Sequence, residues 1–494
     1  MQSLQIDEVL FRARRESKAP GVYCFSRGRS RLCKAAPLGL ALLLVTGLLR
    51  AQDSPCDLNG DSRVDVADVQ RAINQGVGIE SCGGADLNRD GKCDVADVQR
   101  FVNASLGQPC QVGDATTNPS KSVLDYGARC DGATDDRVAI QAALNDSAGW
   151  EGGTLSFPPS RTCVVSAGLT WFSNNDNRTI LGKGSTIKAR DGMPVARGFQ
   201  MLRITSADNS TIDDLDFDAN RTNRSPAEVG AHTIEIRGSR GLTLRKVDVR
   251  NGVTDGFYIS ASDPLNLDSF PRDLSFVDCT ADNNFRQGMS IIFGRNIAVK
   301  GTCDGSVNGT CSCRFTNTNG TPPQAGIDLE PNISATGTPG LDGTLIEGCL
   351  FADNKGYGIK VTNTHQGVNG TIIRNNTLRA NDGGAFEFSG RNSVVTNNRI
   401  GTHPLVRFAT AYFAAGDGSV VENNTFDGPS EPGKVLILYG NFGNGTASFR
   451  NNTLNNVGAS ERGGWCVDWL NKHGSLTSGN RINGVLQNPN PGCR

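Results

Sequence analysis

The chain has 494 residues, with 49 basic and 50 acidic side chains and a formal charge of −1. That balance excludes a general electrostatic grip on nucleic acid and argues against a polybasic membrane surface as the main partner. Hydrophobic residues make up 37%, aromatics 6%, and glycine is high at 60 residues, while Val, Ile and Leu recur in short alternating runs, which excludes both a helical bundle and a disordered chain.

Arg27, Arg29, Arg31 and Lys34 precede an apolar run from Pro37 to Leu49 that is too short to span a bilayer comfortably, and Ala51 follows it. Residues 1–51 read as a secretory signal peptide rather than a membrane anchor, with an unusually long stretch before the basic cluster that allows a start downstream of Met1. The mature protein is expected to be secreted, or held at a cell surface, with no membrane span. Removing the segment takes Cys24 and Cys33 out of the 15 cysteines. The rest can oxidise outside the cell, and their odd number leaves at least one without an intrachain partner.

Residues 57–68 (DLNGDSRVDVAD) and 86–97 (DLNRDGKCDVAD) are two copies of one loop, each running into a helical pattern. Asp57, Asn59, Asp61, Asp65 and Asp68 fall at loop positions 1, 3, 5, 9 and 12, and Asp86, Asn88, Asp90, Asp94 and Asp97 repeat them. This spacing wraps oxygens around one point, and the position-7 carbonyls of Arg63 and Lys92 complete the set, as a hard cation such as calcium requires. Two bound calcium ions are expected, since so many acids this close repel without a cation. With one helix after each loop and Asp as the last ligand, residues 53–110 resemble a type I dockerin. The resemblance implies a cohesin-bearing partner. Two departures are visible: Ser62 stands where Gly91 serves the second copy, and Val66–Ala67 and Val95–Ala96 occupy cohesin-reading positions where hydroxyl residues are common. Cys56 and Cys110 bracket the module and are placed to clasp its ends.

Residues 111–121 are polar with one proline and read as a linker. The β-helix domain is expected over 122–494. Asp135 and Asp136 open an amphipathic helix with apolar positions Val138, Ile140, Ala143 and Leu144, so both acids are read as structural caps of its free amides. This entry segment is similar to that of the pectate-lyase-like superfamily, where such a helix plugs the first end of a right-handed parallel β-helix.

Short segments then recur: TIIRNNTL (371–378), SVVTNNRI (393–400), SVVENNTF (419–426) and ASFRNNTL (447–454), with LSFVDCT (274–280) and TLIEGCL (344–350) as cysteine variants. Aligning them stacks Cys279, Cys349, Asn376, Asn398, Asn424 and Asn452 in one column, and a solenoid is the architecture that offers such a column. A second register aligns HTIEIR (232–237), DGFYIS (255–260), QGMSII (287–292), AGIDLE (325–330), YGIKVT (357–362) and GAFEFS (384–389) as strands of period two. The fold class is therefore all-β, a right-handed parallel β-helix with an N-terminal capping helix, preceded by the small α-helical calcium module.

The outward positions of the second register form a ladder of Glu235, Tyr258, Ser290, Asp328, Lys360 and Glu387, expected to face solvent. Glu330 lies on the Asp328 strand, and Asp255, Arg286 and Gln287 lie at the corner leading into it. Asp328, Glu330, Lys360, Glu387, Arg286 and Tyr258 are the candidate catalytic residues. A groove of acids, cations and a tyrosine suits a sugar polymer, although Asp328, Lys360 and Glu387 also form a plausible self-neutralising ladder. Two chemistries fit. In a lyase, Lys360 or Arg286 acts as base or neutraliser and Tyr258 as acid. In an inverting hydrolase, Asp328 pairs with Glu330 or Glu387. The superfamily resemblance implies a polysaccharide-active protein without choosing between them. The aspartate clusters of polygalacturonases and the Asp-Pro-His motif of epimerases are absent, the comparable strand reading TDGFYI, and the four histidines form no sequence cluster. A non-catalytic polysaccharide-binding or adhesion solenoid is the alternative.

Overall fold

The computed structural model describes residues 54–486 apart from 89–91, 113–118, 147–148, 151, 173–176, 197–198, 225–229, 332–339, 363–366, 404–408, 414–417, 428–434, 440–446, 456–464, 467–475 and 483. The export segment, Asp90, part of the linker, His365 and His473 lie outside the described residues. The chain divides into two compact units, one comprising residues up to Ala85 with Cys93–Cys110, the other Asp86–Lys92 with Gln111 onward. Among the described residues no helix is long and apolar enough to cross a membrane.

The first unit holds two helices, α1 (Val66–Gly76) and α2 (Val95–Ser105). Each starts where the loop acids put it. Asp65 and Asp94 are the N-caps, and Asp68 and Asp97 return hydrogen bonds to the cap amides, so loop positions 9 and 12 form a capping box in both copies. The core is small, with Ala72, Phe101 and Ala104 buried, and the Cys56–Cys110 and Cys82–Cys93 disulfides supplement it.

The second unit is a parallel β-helix. One sheet of eleven strands runs from Leu169–Phe172 through Leu202–Thr205, Ile234–Arg237, Phe257–Ser260, Met289–Ile291, Ile327–Leu329, Tyr357–Val361 and Gly384–Phe388 to Trp465–Cys466. A larger sheet carries two rows of three-to-four-residue strands, such as Ser275–Val277, Ala298–Lys300 and Leu345–Glu347 in one row and Thr280–Asp282, Cys313–Thr316 and Cys349–Ala352 in the other. Parallel neighbours joined by crossovers wind right-handed. The first strand of this sheet, Ser120–Ser122, pairs with Thr154–Ser156, so the solenoid begins two residues inside the expected linker.

The paired asparagines explain the corners. Asn375, Asn397, Asn423 and Asn451, the first of each pair, adopt positive φ of 55–57°. Asparagine tolerates this left-handed turn better than branched residues do. The second asparagine turns inward and is buried. Asn376 Nδ2 donates to the Ile346 carbonyl, while its backbone N–H donates to Asn398 Oδ1 at 3.0 Å. Asn398, Asn424 and Asn452 repeat the pattern, and Asn480 extends the column. Cys313 and Cys349 occupy the same column one coil apart and are joined by a disulfide. A second ladder runs Asn354, Asn381, His403, and burial of His403 lowers its pKa to about 4, so it enters the ladder as a neutral ring. Inside, Phe276, Phe315, Phe351, Leu378 and Ile400 pack in one continuous core. A one-residue slip of any coil would turn these side chains out, which fixes the register.

Helix α3 (Arg137–Asn145) departs from expectation in two respects. Asp136 is the N-cap residue, but its side chain makes no cap bond; buried, it accepts from the amides of Arg129 and Cys130 instead. Asp135 accepts from the Arg137 amide. Val138 is exposed at 74%, and Gln141 takes its place on the inner side with Ile140, Ala143 and Leu144. Gln141 bonds both the amide and the carbonyl of Thr170, satisfying the edge of the first strand of the eleven-stranded sheet.

Candidate functional site

The strand register of the eleven-stranded sheet brings together residues far apart in sequence. Arg203, Glu235, Tyr258, Ser290, Asp328, Lys360 and Glu387 occupy one outward column. The corner residues His232, Asp255 and Gln287 stand side by side, each two residues before an inward position of the paired strands.

The column is not the open ladder expected. Glu235, Ser290 and Asp328 are buried, at 1%, 0% and 0% exposure. Longer side chains roof them. Arg203 Nε lies 2.7 Å from one Glu235 oxygen and Arg237 2.6 Å from the other. Arg286 reaches Asp255 at 3.2 Å and Glu330 at 3.4 Å. Gln287 Nε2 donates to Asp328 Oδ2 at 2.9 Å, and Lys360 Nζ stands 3.9 Å from the same oxygen. Beside them Ile292, expected to face outward, is buried with Ala261, Phe270 and Phe293, and Tyr258 packs on this apolar wall. The result is layered: buried carboxylates below, part-exposed Arg203, Arg237, Arg286 and Lys360 above.

His232 is the residue that the sequence reading passed over. Its ring stacks on Tyr258 with centroids 3.9 Å apart and planes 7° from parallel. Its Nδ1 lies 3.3 Å from Asp255 Oδ2 and 3.4 Å from Thr254 Oγ1. Asp255 also accepts from Ser290 Oγ at 2.9 Å. Burial pushes the Asp255 carboxyl up, but His232, Arg286 and Ser290 outweigh it and hold the pKa below its ordinary value, so Asp255 stays charged. Burial, then the Asp255 charge, raises the Tyr258 pKa, so the phenol keeps its proton. Burial also raises Asp328 to about 7 against the pull of Lys360. Among the described residues, Asp328 Oδ1 has no hydrogen-bond partner.

Tyr258, Arg286, Asp328, Glu330 and Lys360 thus come together through Asp255 and Gln287. Glu387 is in register with Lys360, but among the described residues the two form no ion pair, and Lys360 Nζ bonds Thr362 Oγ1 at 2.5 Å instead. The self-neutralising ladder is therefore only half formed. Asp328 and Glu330 are one buried and one part-exposed carboxylate rather than two facing solvent.

In the first unit, the loop after Cys56 is wound by its own acids. Asp57 accepts from the amides of Gly60, Asp61 and Ser62, Asp61 from Arg63, and Asp68 from Leu58, Asn59 and Asp65. Ser62 stands at φ 66°, the left-handed conformation that glycine takes at no steric cost. The donors are all oxygens, which fits a hard cation. Among the described residues, only Cys130, Asp136 and Cys163 gather three candidate ligand atoms within 4.8 Å, and those cysteines form a disulfide. In the second copy Asp86, Asn88, Lys92, Asp94 and Asp97 are described, and Asp90 is not.

Two family descriptions match the chain: rhamnogalacturonase A/epimerase, pectate lyase-like, over residues 120–319, and right-handed β-helix region over residues 306–482. The chain is 29% identical over 209 residues to mannuronan C5-epimerase AlgE6 of Azotobacter vinelandii, covering 35% of this chain and 23% of that protein. It is 27% identical over 271 residues to AlgE3 of the same organism, covering 49% of this chain and 14% of that one. The chain thus spans less than a quarter of the length of these relatives. The A-module of A. vinelandii mannuronan C5-epimerase AlgE4 superposes with a TM-score of 0.47 at 17% identity, covering 75% of this chain and 98% of that module. The described residues between 120 and 482 form a parallel β-helix, and the two matching descriptions over this span are of a right-handed β-helix and a pectate-lyase-like fold.

Proposed function

We propose that this is an exported enzyme that removes the proton beside the carboxylate of a uronate unit in an acidic polysaccharide. The observation that carries the reading is the layered face: Glu235, Asp255 and Asp328 are buried, and the groups within reach of a ligand are Arg286, Lys360, Arg237, Tyr258 and the His232 edge, with Glu330 and Glu387 part-exposed beside them. Such a surface favours an anionic polymer although the whole chain is nearly neutral. Arg286 and Lys360 neutralise the uronate carboxylate, which acidifies the adjacent C–H. His232, oriented by Asp255, accepts that proton at Nε2. Tyr258, which keeps its own proton, supplies one. If it goes to the glycosidic oxygen, the C–O bond breaks and an unsaturated uronide results. If it returns to carbon from the opposite face, the sugar is epimerised. The buried position of Asp328 disfavours an inverting hydrolase built on it.

Incubation with polyuronates in heavy water tests this. Either deuterium at the carbon next to the carboxylate, which marks return of a proton to carbon, or unsaturated uronide ends, in which that carbon carries no hydrogen, is the expected result. New reducing ends without deuterium or unsaturation would move the protein to the hydrolases. Retention on a polyuronate column with neither reaction would make it a binding solenoid.

For residues 53–110 we propose two calcium ions, one in each loop, and docking to a cohesin-bearing scaffold. The all-oxygen donor set of the first loop supports the former. The duplicated helix starts support the latter, since Val66 and Val95 are 77% and 80% exposed at equivalent positions. The five disulfides among the described residues support export into an oxidising compartment.

A further inference from the structure

Away from the eleven-stranded sheet, one coil replaces a tight corner by a long loop, where its neighbours turn at Asp278 and Gly348. Between strands Ala298–Lys300 and Cys313–Thr316, the corner is replaced by residues 301–312. The Cys303–Cys311 disulfide closes this loop at its root, which rests on Leu350 and Ala352 of the next coil. Asp304 holds the interior, accepting from the amides of Ser306 and Thr310 at 2.9 Å each. At its far end Val307 lies against Gly401, where an added Cβ would come within 2.7 Å of a Val307 methyl. Gly401 follows the strand three coils further on, so the loop arches over roughly 14 Å of the solenoid.

Beneath the arch is a cleft of about 400 Å³, lined by Thr302, Cys303, Glu347, Asn375, Asn397 and Arg399, among others. That volume lies within the ~300–1,000 Å³ typical of small-ligand sites. Gly348 forms part of its floor because the loop base passes so close that a Cβ there would meet the Gly301 carbonyl oxygen. Two residues of the lining are uncommitted. Arg399 is exposed and pairs with no carboxylate, and the Asn397 side-chain amide has no hydrogen-bond partner, among the described residues, while its backbone N–H donates to the Glu422 carbonyl. Glu347 is neutralised by Arg374 at 2.8 and 3.0 Å and also holds Asn375 Nδ2. The free charge in the cleft is therefore a guanidinium, flanked by amides and hydroxyls. A guanidinium grips a carboxylate through paired N–H donors, and amides suit sugar hydroxyls.

We propose that the cleft beneath loop 301–312 is an accessory binding site for a carboxylate-bearing sugar unit, separate from the candidate active face. It rests on the reading above only for the class of polymer. The disulfide-closed arch holds the cleft open before a ligand arrives, which spares the ordering cost of closing a free loop.

The test is calorimetric titration of the full-length protein with four-unit oligomannuronate and oligogalacturonate, in the parent, in Arg399→Met, in a Cys303→Ser/Cys311→Ser double variant and in Arg286→Met. The parent should show two binding events with at least one of the probes. Arg399→Met should weaken one of them tenfold or more, the loop variant should weaken the same one, and neither should change turnover of a short substrate. Arg286→Met should affect the other event. Arg399-independent binding accompanied by turnover would overturn the accessory site and leave the enzyme reading standing. Arg399-dependent binding with no turnover of any polyuronate would do the reverse. Absence of binding by either probe would overturn both.

Discussion

Asp328 is surrounded by groups that do not release it from its burial. Gln287 donates one hydrogen bond, Lys360 stands 3.9 Å away, and Oδ1 has no partner among the described residues. Its folded-state pKa of about 7 lies above the ordinary carboxylate value, so the native protein binds this proton more tightly than the unfolded chain does. The stabilisation is complete at acid pH and is lost as pH rises from about 4 through about 7. Asp328→Asn keeps the shape of the protonated form. Relative to the parent, it should therefore gain stability between pH 4 and pH 8, by on the order of 2–4 kcal/mol, in denaturant titrations at the two pH values. A gap independent of pH would mean that Asp328 is charged throughout. For His232 the expectation concerns rate. His232→Gln and Tyr258→Phe should each lower turnover of a polyuronate by roughly a hundredfold or more with little change in melting temperature, since each would remove a proton-transfer group. Wild-type rates in both would move the chemistry elsewhere. The role of His232 was partly legible: the aligned segments 232–237, 255–260 and 287–292 begin with His232, Asp255 and Gln287, which sets the three side by side. Its environment is not local in sequence, because the solenoid builds the cluster across coils.

At the scale of the element, the asparagine corners were legible because both halves of their signal are local: one residue that tolerates positive φ, then one whose amide suits a buried column. Asn398→Leu deletes the acceptor of the Asn376 amide and the donor to the Ile373 carbonyl. It should cost about 1–3 kcal/mol in chemical denaturation, whereas Asn308→Leu on the exposed loop should cost far less; equal losses would mean that the ladder does not bear on stability. What the period-two strand pattern did not carry is which outward residues other coils cover. Alternation assigns a face, but Arg203, Arg237, Arg286 and the Phe270–Phe293 wall come from different turns and decide exposure. Asp136 shows the same limit, since two amides upstream, in the segment leading to the helix, claim its carboxylate ahead of the helix it precedes. In the first unit, Ser62 pays for a left-handed turn that glycine makes without strain. Ser62→Gly should raise the stability of that unit by about 1 kcal/mol, read as a rise in its calorimetric transition in the full chain with calcium present. A fall would mean that the serine side chain contributes more than its backbone costs.

At the scale of the whole molecule, the β-helix is a stack in which each coil touches mainly its neighbours, so its cohesion is a sum of like interfaces. Two interfaces differ in kind: Cys130–Cys163 ties the first coil to the next, and a second bridge lies in the middle of the stack. The Cys313–Cys349 disulfide stands in the ladder column and covalently joins two consecutive coils across a sequence separation of 36 residues. Pulled from its two ends in an optical trap, the oxidised protein should therefore unwind coil by coil and then stop short of its full contour. This link alone would withhold about 120 Å of chain at ~3.3–3.6 Å per residue. A Cys313→Ser/Cys349→Ser variant, with the other bridges intact, should recover that length. The same fastening makes the stack a ratchet under load: coils can peel from either end, but the middle keeps a permanent seed on which the rest can rewind.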